Sequence, residues 1–142
     1  MANLVISDVC NLDCCYCFAR EYMQGVKESH APAFISLEDF EARLDLLDRL
    51  GIGEARLIGG EPTLHPHFPE LVTLARQRGK RIAVFSHGVL SEKALECLAA
   101  LPVQECSVLV NMNAVGRHPE SEQLRRREVL RQLGPRALLG YN

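Results

Sequence analysis

Four cysteines stand close together near the start of the chain, in the run Cys10-Asn11-Leu12-Asp13-Cys14-Cys15-Tyr16-Cys17. The C-x3-C-x2-C spacing of Cys10, Cys14 and Cys17 brings three soft thiolate donors within reach of one compact metal centre. A four-iron cluster held by three thiolates keeps one iron open to a small molecule, by the logic that gives catalytic zinc sites an open position. The alternatives are a zinc knuckle that borrows Cys15, His30 or a distant histidine, or a cluster of free thiols. A structural zinc site usually shows two separated ligand pairs, and no second C-x2-C pair exists in this sequence. A thioredoxin-like role for Cys14 and Cys17 leaves Cys10 unexplained.

Other polar groups recur at comparable places. Gly59-Gly60-Glu61-Pro62 combines two residues that allow close backbone approach with an anionic acceptor suited to an ammonium group. Taken alone it reads as a tight turn before a helix; its position directly after a hydrophobic run gives it a place in a site. Ser86-His87-Gly88 and Val110-Asn111-Met112-Asn113 follow two further hydrophobic runs. His87 is able to line a pocket by hydrogen bonding, and equally to serve as a polar loop residue. Asn111 and Asn113 have the same two readings, as hydrogen-bonding site residues or ordinary turn residues.

These groups need elements to position them. The runs Leu4–Ile6, Ala55–Ile58, Arg81–Phe85, Ser107–Val110 and Ala137–Leu139 are short and aliphatic, as buried parallel strands are. Between them lie helical patterns. Ser36 N-caps a stripe of Leu37, Phe40, Leu44, Leu47 and Leu50 that ends at Gly51. A second helix buries Phe68, Leu71, Val72 and Ala75 before Gly79, and a third starts at Ser91 with Ala94, Leu95 and Leu98 inward. A fourth runs from about Glu120 to Leu133, before Gly134-Pro135. Strands alternating with single helices predict an α/β fold with a parallel sheet, either rolled toward a barrel or open with helices on both faces. In both, function gathers at the carboxyl ends of the strands. Phe18 to Ala33 is expected to form a loop over the site.

Composition narrows the classes. The 142 residues are 47% hydrophobic and 24% charged, with a formal charge of -2, so no basic footprint calls for nucleic acid. No apolar run reaches the roughly 20 residues of a membrane span, and no secretory signal is evident, so a cytoplasmic protein is expected. Six cysteines without an oxidising compartment favour metal ligation over disulfides. Arg125-Arg126-Arg127, among Glu120, Glu122 and Glu128, reads as a solvated helix face. Cys97 and Cys106 read as buried thiols, and turn and surface roles suffice for His65 and His67.

The motifs together resemble the radical S-adenosylmethionine (SAM) superfamily. Its signature, C-x3-C-x-Φ-C with Φ aromatic, is matched by Cys10, Cys14, Tyr16 and Cys17, with Cys15 at a variable position. Leu57 to Leu64 is similar to the family's GGEP segment, Ser86-His87-Gly88 stands where relatives often show Thr-Asn-Gly, and Asn111 stands where relatives contact the SAM ribose. The resemblance implies a [4Fe–4S] cluster on Cys10, Cys14 and Cys17, with S-adenosyl-L-methionine chelating the open iron. It implies SAM contacts from Tyr16 at the adenine, from Gly59, Gly60, Glu61 and Pro62 at the methionyl ammonium, and from Ser86 and Asn111.

The same resemblance implies an enzyme that cleaves SAM reductively to a 5′-deoxyadenosyl radical, which abstracts hydrogen from an unknown substrate, with no side chain acting as acid, base or nucleophile. Its partners would be an electron donor such as flavodoxin or ferredoxin and a small-molecule or peptide substrate. A family core has six βα units in a partial TIM-like barrel, and this sequence supplies four and a fifth strand. Residues 1–142 are therefore expected to be a radical SAM core domain incomplete at its C-terminus, similar to the branch with molybdenum-cofactor synthesis enzymes and peptide maturases. The alternative is a non-catalytic iron–sulfur or zinc-binding module left by truncation.

Overall fold

The computed structural model describes residues 2–14, 17, 33–112 and 119–140. Five strands alternate with four helices: β1 (Asn3–Ser7), α1 (Leu37–Arg49), β2 (Glu54–Gly59), α2 (Phe68–Gln77), β3 (Arg81–Ser86), α3 (Glu92–Ala99), β4 (Cys106–Asn111), α4 (Glu120–Leu133) and β5 (Ala137–Gly140). Single 3₁₀ turns lie at Pro62–Leu64 and Gly134–Arg136. The expected loop from Phe18 to Ala33 lies, apart from Ala33, outside the described residues, as do Cys15, Tyr16, His30 and Asn113.

Every neighbouring strand pair is parallel, and the spatial order is β1-β2-β3-β4-β5. That order resolves what periodicity left open. A sheet covered on both faces needs a point where the strand order reverses, whereas right-handed crossovers in unbroken sequence place every helix on one face. The result is the arc of a β/α barrel, consistent with a partial radical SAM TIM-like barrel.

Alternation along the strands assigns the two faces. Leu4, Ile6, Leu57, Val84, Val108 and Val110 point to the helices and meet Phe40, Leu44, Leu71, Leu98, Val129 and Leu133, all in one buried cluster. Burying side chains of this size stabilises the fold by about 1.5–3 kcal/mol each. On the opposite, concave face Ile58, Phe85 and Leu109 are half-buried, and Val5 and Leu138 are exposed.

The caps follow the sequence. Ser36 Oγ accepts from Asp39 N at 3.0 Å and Ser91 Oγ from Ala94 N at 3.3 Å. The stripe of α1 is narrower than expected: Leu37 and Leu50 stay 39% and 60% exposed. Leu37 opens the helix and Leu50 caps it, so both project past the sheet rather than onto it. Residues 33–35 return along β1, with Ile35 N donating to Ile6 O at 3.0 Å and an antiparallel bridge between Ser7 and Phe34. Among the described residues no helix is long and apolar enough to cross a membrane.

Candidate cofactor site at the strand ends

The loops after β1 and β2 are joined through their backbones. Gly60 N donates to Ser7 O at 2.9 Å, and Glu61 N donates to Val9 O at 2.7 Å. The strand pairing slips between Val5 and Ser7, so that Ser7 faces Gly59. A Cβ on Gly59 would lie 2.0 Å from Ser7 O, so only glycine admits this approach. Ser7 Oγ accepts from Val9 N at 3.0 Å and starts the turn into the cysteines. The Gly-Gly-Glu-Pro turn is thereby fixed against the chain segment that carries Cys10.

Glu61 is fully buried. Its Oε1 accepts from Thr63 N at 3.2 Å and Thr63 Oγ1 at 2.6 Å, capping the 3₁₀ turn that Pro62 opens without an N–H to satisfy. Its Oε2 accepts from Ser86 Oγ at 2.9 Å and His87 N at 3.1 Å, and His87 Nε2 lies 3.2 Å away. Ser86 Oγ also accepts from Gly88 N at 3.0 Å. Glu61 and Ser86, expected at a ligand, are thus brought together with each other, and the carboxylate locks the ends of β2 and β3.

His87 adds a longer reach. Its Nδ1 accepts from Val89 N at 3.1 Å, and because a backbone N–H can only donate, the ring proton sits on Nε2. That Nε2–H donates to Asn11 Oδ1 at 2.8 Å, and Glu61 Oε2 lies 3.2 Å from the same nitrogen. Burial, first, and the Arg126 charge push the His87 pKa below the ordinary histidine value, against the pull of Glu61.

Cys10, Cys14 and Cys17 are free, half-buried thiols, and Cys17 N donates to Cys14 O at 3.0 Å, turning the two side chains about a common bend. Burial raises the Cys10 pKa, and the negative charges of Glu61, Cys14 and Cys17 raise it further against a lowering contact from the Leu12 backbone. Three thiolates brought to one place need cations to neutralise them, as iron would. Among the described residues no three His, Cys, Asp or Glu side chains are placed to share a single metal ion. The all-thiolate donor set fits a four-iron cluster, in which each thiolate reaches its own iron.

Arg126 corrects the expectation of a solvated α4 face. It is only 2% exposed, and none of its three guanidinium nitrogens has a hydrogen-bond partner among the described residues. Its stem crosses Gly88, whose φ is +86°; a Cβ there would lie 3.3 Å from Arg126 Cγ and 2.7 Å from Val110 Cγ1. The signal lay in the helical spacing: Arg126 precedes Val129 by three residues and Leu133 by seven, the positions of the buried stripe. Arg127 is exposed, and Arg125 is half-buried, its Nη2 donating to Leu90 O at 3.4 Å. A buried guanidinium without a partner is costly, and such groups concentrate where a ligand supplies the missing charge. Asn111 closes β4, half-buried opposite Gly140 of β5.

His65 is 4% exposed, against the surface role expected of it. It ties the second turn together: Nε2 donates to Ile35 O at 2.9 Å, Nδ1 accepts from His67 N at 3.1 Å, and Phe34 packs edge-on. Cys106 is buried as expected, its thiol pushed up to about 11 by burial. Cys97 is half-buried.

A one-sheet β/α arc with a cysteine loop joined to a glycine-rich acidic turn defines a class, and the chain belongs to the Radical SAM superfamily, whose family pattern it matches over residues 4–134. That is a family of enzymes whose cofactors are a [4Fe–4S] cluster and SAM. Among individual proteins the chain is similar to GTP 3′,8-cyclase of Mannheimia succiniciproducens, 32% identical over 111 residues, covering 77% of this chain and 32% of that enzyme. It is likewise similar to GTP 3′,8-cyclase 1 of Mycobacterium tuberculosis, 29% identical over 112 residues, covering 75% of this chain and 30% of the relative. A third relative, GTP 3′,8-cyclase of Klebsiella pneumoniae, is 33% identical over 88 residues, with 61% and 26% covered. The chain spans about a third of the length of the first two relatives.

Proposed function

We propose that residues 1–142 act as a radical SAM core domain in which Cys10, Cys14 and Cys17 hold a [4Fe–4S] cluster and the ends of β2, β3 and β4 hold SAM. The observation that carries this is the backbone joint between Val9 and Glu61, which sets the cysteine loop against the Gly-Gly-Glu-Pro turn at 2.7 Å. When bound, the cluster and SAM supply one-electron cleavage of the sulfonium, giving a 5′-deoxyadenosyl radical that takes hydrogen from a substrate.

The chain's residues bind and orient. Gly59 and Gly60 let the ligand approach the backbone beside Cys10, and Pro62 sets the turn that aims Glu61. An arriving ammonium group would meet the Glu61 oxygen that lies 3.2 Å from His87 Nε2. Arg126, within electrostatic reach of the same imidazole, supplies the charge a carboxylate needs. A carboxylate and a guanidinium with no hydrogen-bond partner among the described residues, held beside one ring, suit the zwitterionic end of an amino acid, which is what the methionyl group of SAM presents. Ser86 supports Glu61, Asn111 at the end of β4 faces the ribose, and Tyr16 enters on the family's spacing alone. Glu61, His87 and Arg126 are buried or nearly so, and a site of this kind strengthens charge recognition by excluding water.

In the cell this assigns a cytoplasmic protein reduced by a flavodoxin or ferredoxin, with a small molecule or peptide as substrate. GTP, named for the relatives, is the first to screen. Anaerobic reconstitution with iron and sulfide, followed by electron paramagnetic resonance of the reduced protein, tests the reading. A [4Fe–4S]+ signal that shifts on adding SAM is expected. A cluster indifferent to SAM leaves a non-catalytic iron–sulfur module, and stoichiometric zinc without acid-labile sulfide overturns the assignment.

A further inference from the structure

The two ring nitrogens of His87 do different things. Nδ1 accepts the Val89 N–H two residues on, the bond that an asparagine Oδ1 at this position would accept in an Asx turn. Nε2 lies farther out and bridges 76 residues of sequence to Asn11 Oδ1 at 2.8 Å, while touching Glu61 Oε2 at 3.2 Å. Asparagine keeps the first bond and is too short for the second.

We infer that His87 is a positioning residue that tethers the cysteine loop, through Asn11, to the β3 end and to Glu61. Asn11 directly follows Cys10, and its side chain lies at the exposed rim of the loop. The loop is held from beneath by Glu61 N to Val9 O, and the His87 bond adds a hold from the other side of the Glu61 carboxylate. The importance of the tether rests on the cysteine loop being the cluster-holding loop; its existence does not.

The test is amide hydrogen exchange over residues 8–14 in the metal-free protein, comparing wild type with His87→Asn, His87→Gln, Asn11→Ala and the Asn11→Ala/His87→Asn double variant. Gln places an N–H close to where Nε2 stands but gives up the Val89 turn. Loss of one hydrogen bond raises loop opening about 5-fold. His87→Asn and Asn11→Ala are each expected to show that rise, the double variant no more than either, and His87→Gln near-wild-type protection. Unchanged exchange in His87→Asn overturns the tether. So does a rise in His87→Gln without one in His87→Asn, or single effects that multiply in the double variant. Reconstituted proteins then report function through the rate of iron loss to a chelator, expected to be faster in His87→Asn and restored in His87→Gln. Failure of wild type to form any cluster would sink the proposed function while the exchange result still decides the tether.

Discussion

The two ends of the sheet handle charge in opposite ways. At the amino ends of the strands charged groups are paired: Arg78 with Asp45 and Asp48, Lys80 with Asp48 and with Ile52 O at 2.7 Å, and Arg76 with Glu105. Arg81 donates to Gln104 O at 2.9 Å, and Arg136 donates through Nε to Leu101 O at 2.7 Å. At the carboxyl ends Arg126 is buried with no hydrogen-bond partner among the described residues, three thiols stand in one loop, and one histidine nitrogen lies near both Asn11 Oδ1 and Glu61 Oε2. The first arrangement closes the bottom of the fold. The second holds charge in an uncompensated state, which is tolerable only where the interior packing is strong enough to carry it and a ligand completes it.

The largest effects should appear at the carboxyl end. Cys14→Ala is expected to abolish the [4Fe–4S]+ resonance and the acid-labile sulfide, while the metal-free protein keeps its circular dichroism. Retention of a full cluster would mean that the thiol bend at Cys14 and Cys17 is not a cluster site. Arg126→Met sharpens the comparison because its two consequences have opposite signs. Replacing a partnerless buried cation by an apolar chain of similar length should stabilise the ligand-free protein to urea by about 1–4 kcal/mol. In reconstituted protein it should weaken SAM binding about 100-fold, as loss of a charge-assisted pair does. Lys80→Met at the other end should instead destabilise by about 1 kcal/mol, through loss of the bond to Ile52 O.

The two histidines of the site side extend the contrast to pH. Burial lowers the pKa of both His65 and His87, and in each Nδ1 already accepts a backbone N–H. Their folded-state values lie below the unfolded value of about 6.5, so the unfolded chain binds protons first as pH falls. Stability is fully present above about pH 6.5 and declines below it, by at most about 1.4 kcal/mol per proton and pH unit, until the folded-state values are passed. Urea midpoints for wild type should therefore fall between pH 7.5 and 5.5. His65→Gln and His87→Gln together should flatten that slope; an unchanged slope would place the titrating groups elsewhere.

Much of the fold was legible because single-period signals sufficed. The five aliphatic runs became the five strands, and Ser36 and Ser91 cap the helices that their positions announced. Barrel versus open sheet was not legible, since strand order is a property of pairing and leaves no trace in local periodicity. In the site, Glu61 and Ser86 were found by position after a strand, yet their contact with each other spans 25 residues and no local pattern encodes it. Arg126 was misread for a sharper reason: its charge outweighed its place in the Val129 and Leu133 stripe, when a charged residue in an apolar register is itself a signal. His65 was passed over because its partner Ile35 O lies 30 residues away in sequence, where no local pattern signals it.

The smallest effect should belong to the amino end, and it can break the comparison from that side. Arg76 and Glu105 link α2 to the start of β4, with Nε to Oε2 at 3.0 Å and side chains 38% and 46% exposed. Water and salt screen such a pair, and holding two long side chains in one geometry costs rotamer entropy. Glu105→Gln should therefore lower stability by about 0.5 kcal/mol at low ionic strength, and by nothing measurable at 1 M salt. A loss that persists in high salt would show that the amino end, too, depends on desolvated charge. The division of the molecule into a compensated base and an uncompensated rim would then give way to a single buried electrostatic network.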